Sequence, residues 1–208
     1  MNNIAAALQT FRRQLPASVT LIAVSKGQGI EAIQAALDAG QRHFGENRVQ
    51  EALQKWPLLK ARYPDSTLHL IGPLQTNKVK DALGLFDVIH TIDRPKLVEA
   101  LAREKSGVKF LVQVNQGGEP QKSGIAPAGL PALLALCKKS NLPVSGLMTI
   151  PPQTGDAKIY FQKLAALAKR HNLPGLSMGM SGDWQEAVAA GATYIRVGGA
   201  IFGARLKP

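Results

Sequence analysis

The residues best suited to chemistry in this chain are a lysine, an arginine and a pair of glycines that lie far apart in sequence. Lys26 follows the run Thr20-Leu21-Ile22-Ala23-Val24-Ser25 and precedes a segment containing Gly27 and Gly29. A short apolar, β-branched run of this kind reads as a buried parallel strand, with Lys26 at its C-terminal end. One reading of that lysine is ordinary: a strand-end cation reaching solvent. The other is chemical: a partly desolvated lysine titrates below its usual range and forms a Schiff base with an aldehyde. Arg196 stands inside a strand, between Ile195 and Val197. A charge there requires a partner, either a carboxylate of the barrel or a ring nitrogen or anion of a ligand. Gly198-Gly199 come next and open a short helix, whose first N–H groups suit a phosphate; otherwise they only make a tight turn. Ser181 adds a hydroxyl, or else caps the helix that follows it. An amine for an aldehyde, N–H groups for a phosphate and a polar group for a pyridine nitrogen together describe pyridoxal phosphate (PLP).

These residues meet only if the fold gathers strand ends. Ile4, Leu8, Phe11 and Leu15 keep helical spacing up to Pro16. After the Lys26 strand come a helix over 30–39 closed by Gly40, a strand over 43–47, and a helix from Val49 that Pro57 kinks or interrupts. Strands over 68–72, 87–92, 109–115, 144–150, 176–181 and 193–197 alternate with helices. Thr76 or Asn77 caps a helix ending at Gly84, Asp93 one running to Lys105, and Thr154 a long one bearing Ile159, Phe161, Leu164 and Leu167. A helix over 183–190 is ended by Gly191.

About eight strand–helix units without a linker imply parallel strands and right-handed crossovers. The fold class is therefore α/β, a single compact TIM (β/α)8 barrel spanning 1–208; an open doubly wound sheet carries only five or six strands. In such a barrel Lys26, Asn47, the turn 72–75, Asn115, Ser181 and Gly198-Gly199 end strands on one face, where active sites lie. Closure sets the first and eighth strands side by side.

Twenty-five basic against 14 acidic residues leave a net charge of +11, which permits an anionic ligand or nucleic acid without choosing between them. With 5% aromatic residues and no long run of like charge, neither a stacking platform nor a basic tail is present, so no nucleic acid is expected as a partner. The single Cys137 lies in an apolar run, reads as a buried thiol and suits a reducing cytoplasm. Met1-Asn2-Asn3-Ile4 begins no signal peptide, and no segment reaches the roughly 18 apolar residues of a membrane span. A soluble cytoplasmic protein is the expectation.

Ala23-Val24-Ser25-Lys26, the stretch from His43 to Glu51 with its Phe-Gly-Glu-Asn, and the stretch from Ile71 to Lys78 resemble the PLP homeostasis protein family. So do Val114-Asn115, Gly118-Glu119, Gln121-Lys122-Ser123-Gly124, Gly146-Leu147-Met148, the stretch from Leu176 to Ser181, and the stretch from Ile195 to Gly203 with its Ala-Ile-Phe-Gly-Ala-Arg. The motifs run in family order over nearly the whole chain. The resemblance implies a barrel like the N-terminal domain of alanine racemase, with Lys26 as the Schiff-base lysine. It implies that Ser181, Gly198 and Gly199 bind phosphate, that Arg196 stands beside the pyridine nitrogen, and that Asn47 lies near the cofactor. Gly199 departs from the Ser or Thr common in relatives, keeping the backbone N–H without the hydroxyl. The N-terminal helix is short for the family.

A cation at the ring nitrogen disfavours its protonation and makes the ring a poorer electron sink. The second base of an alanine racemase comes from a further domain, for which this chain has no room before Pro208. The expectation is a PLP-binding protein of cofactor homeostasis without an efficient reaction of its own, a monomer, with PLP-dependent apo-enzymes as acceptors. Its rivals are an amino-acid racemase of weak activity and, last, a nucleic-acid-binding module.

Overall fold

The computed structural model describes residues 4–203; Met1 to Asn3 and the Ala204-Arg205 end of the last motif lie outside them. Eight parallel strands close into a barrel in sequence order, with the last hydrogen-bonded to the first. They are β1 Thr20–Val24, β2 His43–Glu46, β3 Thr67–Leu70, β4 Val88–Ile92, β5 Lys109–Gln113, β6 Val144–Met148, β7 Gly175–Ser177 and β8 Tyr194–Val197. The helices are α1 Ile4–Gln14, α2 Ile30–Asp38, α3 Val49–Arg62, α4 Val79–Leu85, α5 Pro95–Ala102, α6 Leu130–Lys139, α7 Ala157–Arg170, α8 Trp184–Ala189 and α9 Gly199–Phe202. This is the TIM barrel that the strand–helix alternation predicts. Among the described residues no helix is long and apolar enough to cross a membrane.

Strand residues alternate between two cores because successive side chains point to opposite faces. The outward set packs under the helices: Phe44 of β2 meets Trp56 of α3 with ring centroids 5.0 Å apart. Phe11 of α1 meets Trp184 of α8 at 5.8 Å. Cys137 is buried in α6, as its apolar run predicts, and burial pushes its thiol up to about 11. The inward set fills the barrel. Gly45 faces in, where a Cβ would lie 2.9 Å from Ile22 Cγ2 and 3.0 Å from Ile71 Cδ1.

The barrel interior is partly polar. His69, His90, Ser177 and Arg196 are all buried. The bond from His90 of β4 to Ser177 of β7 joins strands that are not neighbours, so it crosses the interior. Burial pushes His90 down to about 3, with Arg196 adding to the effect, and holds His69 well below the usual histidine range. Both depressed values lie below the unfolded value of about 6.5. Their contribution to stability is therefore complete above pH 6.5 and is lost as the pH falls, because only the unfolded chain takes up the protons. Two such groups cost about 3 kcal/mol for each pH unit below about 6. Burial lowers His43 as well, against the pull of Asp87, so urea unfolding at pH 6 and pH 5 is expected to reveal an uptake of about two protons or more; an uptake well under one would contradict this.

Local boundaries differ from the predicted ones where a tertiary contact decides. α3 runs unbroken through Pro57, since Ala52, Trp56 and Leu59 anchor one buried face on either side of it. That anchorage offsets the ~3 kcal/mol an interior proline costs. α7 is capped by Asp156, whose side chain accepts from the Lys158 N–H, and not by Thr154. Arg94 rather than Asp93 precedes α5, which stops at Ala102. A 3-10 turn over Thr76–Lys78 leads into α4, which passes Gly84 to end at Leu85. Ile159, predicted on the apolar face of α7, is 47% exposed; Phe161, Leu164 and Ala168 form that face.

Candidate cofactor site

β1 stops at Val24, and Lys26 sits half-buried on the turn that follows. The turn is closed by Gln28 N–H donating to Ser25 O at 3.1 Å. Gly27 has φ +69°, a left-handed conformation that a β-carbon would strain.

This turn is fastened to α3 by a charged cluster. Glu51 Oε1 accepts from Gly27 N–H at 2.6 Å and from Lys55 Nζ at 2.8 Å. Lys55 Nζ also donates to Ser25 O at 3.2 Å and lies 2.8 Å from Glu46 Oε1. Ser25 Oγ (2.7 Å) and Trp56 Nε1 (3.1 Å) donate to that same Glu46 oxygen. Burial opposes ionisation of Glu51, but the Lys55 ammonium and the Gly27 N–H outweigh it and hold its carboxyl below the usual range. Glu46 is fully buried; three donors converge on its Oε1, and its Oε2 has no hydrogen-bond partner among the described residues. A hydrogen bond to a charged group contributes about 1.5–3 kcal/mol. Glu51→Ala is accordingly expected to speed amide exchange at Gly27 at least tenfold, read by NMR; an unchanged rate would remove Glu51 from this role.

On the other side of β1 lies β8, in register with Ile22 opposite Arg196 and Ala23 opposite Val197. A Cβ on Gly198 would stand 3.3 Å from Val24 O and 3.4 Å from Val24 Cβ, so the exits of the two strands stay in close contact. Gly199 opens α9 and is exposed, with no atom within 4 Å of an ideal Cβ. The first N–H groups of that turn precede any acceptor within the helix.

Arg196 is 4% exposed. Its Nη1 donates to Ser177 Oγ at 2.7 Å and its Nη2 to Thr149 O at 2.9 Å. Of the two partners the sequence leaves open, no barrel carboxylate forms an ion pair with it among the described residues. Burial lowers it to about 10, opposed by Asp183 through space, so it remains a cation at neutral pH. A guanidinium has five N–H groups. Three therefore have no acceptor among the described residues.

Ser181 stands differently from its expected position. β7 ends at Ser177, and Gly179, at φ +90°, turns the chain while its carbonyl still accepts from Arg196 N–H at 3.0 Å. Ser181 is exposed on the turn before α8. Asp183 Oδ1, not the serine, accepts from Met180 N–H at 2.6 Å to close that turn. Asn47 is half-buried after β2, and its backbone abuts Gly72, where a Cβ would lie 2.2 Å from Asn47 O. Asn115, also expected at this rim, is committed elsewhere: its Nδ2 donates to Glu119 O (2.9 Å) and Lys122 O (3.2 Å), fastening the loop after β5.

Lys26 thus follows β1, Gly198 and Gly199 follow the neighbouring β8, and Arg196 lies within β8. Asn47 and Ser181 flank them on the loops after β2 and β7. Glu46, Glu51 and Lys55, which hold the lysine turn, and the interior histidines are absent from the reading of the sequence. The signal for the latter is a polar residue at an inward position, as His69 stands between Leu68 and Leu70.

The described geometry has close counterparts. The family model "Alanine racemase, N-terminal domain" matches residues 1–206. Proteins called pyridoxal phosphate homeostasis protein are 43% identical in Vibrio alginolyticus (91% of this chain, 88% of that protein) and 39% identical in Escherichia coli (91% and 87%). PipY of Synechococcus elongatus, solved with PLP bound, is 42% identical with a TM-score of 0.86, covering 96% of this chain and 100% of that one. Alanine racemase of Corynebacterium glutamicum shares the fold at 18% identity and a TM-score of 0.75, covering 99% of this chain and 62% of that one. The chain belongs to the alanine racemase N-terminal-domain family and, within it, to the pyridoxal phosphate homeostasis proteins.

Proposed function

We propose that this protein binds PLP, holds it as a Schiff base on Lys26 and serves intracellular PLP homeostasis without an efficient reaction of its own. One observation supports the reading: a lysine turn and a Gly-Gly turn leave the adjacent strands β1 and β8, and β8 carries a buried cation with spare donors. The likeness to PipY with PLP bound supports it. The residues fit the group. Open space above Gly199 suits a phosphate, and Gly198 brings it beside β1. The exposed Ser181 hydroxyl is available to add a donor, and Asn47 follows β2, the other neighbour of β1.

PLP supplies an aldehyde that condenses with an amine, and a ring able to stabilise negative charge on the attached carbon. Lys26 would hold the group by supplying the amine, and an acceptor apo-enzyme would compete for it with an amine of its own. Arg196 remains a cation, so a proton on a nitrogen beside it is disfavoured and the ring is kept a poor electron sink. Such a ring discourages carbanion chemistry of the transaminase kind, while a racemase with two opposed bases tolerates it. The whole chain acts as one barrel domain, as a cytoplasmic monomer.

Titrating the purified protein with PLP is expected to give a saturable visible band at one equivalent. A protein that stays colourless would overturn the reading. Turnover of a chiral amino acid that depends on Lys26 would overturn the absence of catalysis and leave a racemase.

A further inference from the structure

Behind Arg196 runs a chain of side-chain hydrogen bonds whose direction follows from donor chemistry. Arg196 can only donate, so Ser177 Oγ accepts its Nη1–H at 2.7 Å. The one hydrogen of the Ser177 hydroxyl then goes to His90 Nδ1, 2.9 Å away. His90 Nδ1 is therefore a lone pair, and the neutral ring carries its hydrogen on Nε2, which donates to His69 Nδ1 at 2.9 Å. The same step repeats from His69 Nε2 to His43 Nδ1 at 3.0 Å. His43 is half-buried and lines a cleft with Thr20, Gly40 and Gln41 at the N-terminal ends of the strands. Reversing the order would bring two donors onto Ser177, which is fully buried, and leave its own hydrogen unbonded, an arrangement proteins avoid.

The surroundings favour this neutral, one-way order. Tyr194 presents its ring to His69 at 5.9 Å and to His90 at 5.5 Å between centroids, which fixes their planes. The charged groups near the chain are Asp87 and Lys60, paired with each other at 2.7 Å, and Asp183 near Arg196; none accepts a hydrogen bond from it. Among the described residues no group of three or more ligating side chains is arranged for a metal ion, so these histidines serve one another. Each link turns a lone pair towards the guanidinium and a hydrogen away from it. Aligned neutral dipoles thereby stabilise a buried cation that has no carboxylate partner.

We propose that His90 is a positioning residue that acts through Ser177 on Arg196, and that His43, His69, His90 and Ser177 form a directional spine aiming the remaining guanidinium N–H groups at the ring of the cofactor. This rests on the PLP reading above for its functional part, but the spine itself can be tested without PLP.

Long-range proton–nitrogen NMR of the ligand-free protein resolves its four histidines. His43, His69 and His90 are expected as neutral Nε2–H tautomers at pH 7, and Ser177→Ala is expected to release His90 from that tautomer. A His90 protonated on Nδ1, or a tautomer unmoved by Ser177→Ala, would overturn the spine. With PLP added, His90→Phe and Ser177→Ala are each expected to weaken binding at least fivefold and to shift the titration midpoint of the visible band by half a pH unit or more. His90→Asn, which keeps an acceptor near the Nδ1 position, is expected to stay within twofold of the parent. Should His90→Phe fail to fold, Ser177→Ala carries the same test with a smaller change. Folded variants that bind and titrate like the parent would overturn the positioning role, as would equal losses in His90→Asn and His90→Phe. A parent protein that never colours would sink the PLP reading alone, while the tautomers still decide the spine.

Discussion

Lys26→Ala is expected to eliminate the visible band and the covalent adduct with PLP altogether while leaving the barrel folded. The turn that carries Lys26 is held by Gly27 N–H, Ser25 O and the Glu51–Lys55–Glu46 cluster, all of which survive the substitution. Lys26 lies on a loop outside the hydrophobic core, whose packing the substitution leaves in place. Binding itself is expected to weaken rather than vanish, because Arg196 and the N–H groups of Gly198 and Gly199 retain their attraction for the ring and the phosphate. That residual, non-covalent binding is expected to compete with inorganic phosphate, measured by fluorescence of free PLP. A variant that keeps the visible band, or whose folding collapses with the substitution, would contradict this division between attachment and affinity.

Gly72→Ala is expected to be among the most damaging single-methyl changes. The added carbon would stand 2.2 Å from Asn47 O and 2.8 Å from Asn47 Cα, and the obstacle is backbone rather than the flexible end of a side chain. Gly72 O also accepts from Thr91 Oγ1 at 2.8 Å, so the segment cannot retreat without loosening a buried bond. Ordinary overpacking costs about 1–3 kcal/mol, and this contact belongs at the upper end of that range or above it. Urea unfolding measures the loss. PLP affinity is expected to fall with it, since the carbonyl that must move belongs to Asn47. A variant within about 0.5 kcal/mol of the parent would show that the close approach is readily relieved.

Much of this barrel is legible in the sequence because its strands are short, apolar and punctuated by glycine and proline. Buried parallel strands cannot alternate, so eight uniform runs separated by helical spacing leave few architectures. The residues on and after β1 and β8 are equally legible: Lys26, Gly198 and Gly199 follow strand ends, Arg196 is a charge inside an apolar strand, and barrel closure makes the two strands neighbours. Ser181 is the exception. A strand predicted to reach it stops at Ser177, because Gly179 turns the chain, and no periodicity announces a positive φ. Helix caps moved for a related reason: Asp156 and Thr154 both suit the role, and only the path of the loop selects between them. The supports of the site were the least visible. Neither spacing nor strand ends mark Glu46, Glu51 and Lys55 as partners, yet Lys55 is 8% exposed and bound on three sides. The histidine spine joins β2, β3, β4, β7 and β8, a pairing that only closure creates.

One lysine among many is expected to carry the cofactor. Reducing the PLP-loaded protein with borohydride and mapping the modified peptide by mass tests it most directly. The expected result is a single pyridoxyl adduct, on Lys26, formed in proportion to the loss of the visible band. An adduct confined to another lysine, such as Lys55 on the neighbouring helix, or spread over the surface lysines with Lys26 unmodified, would contradict it.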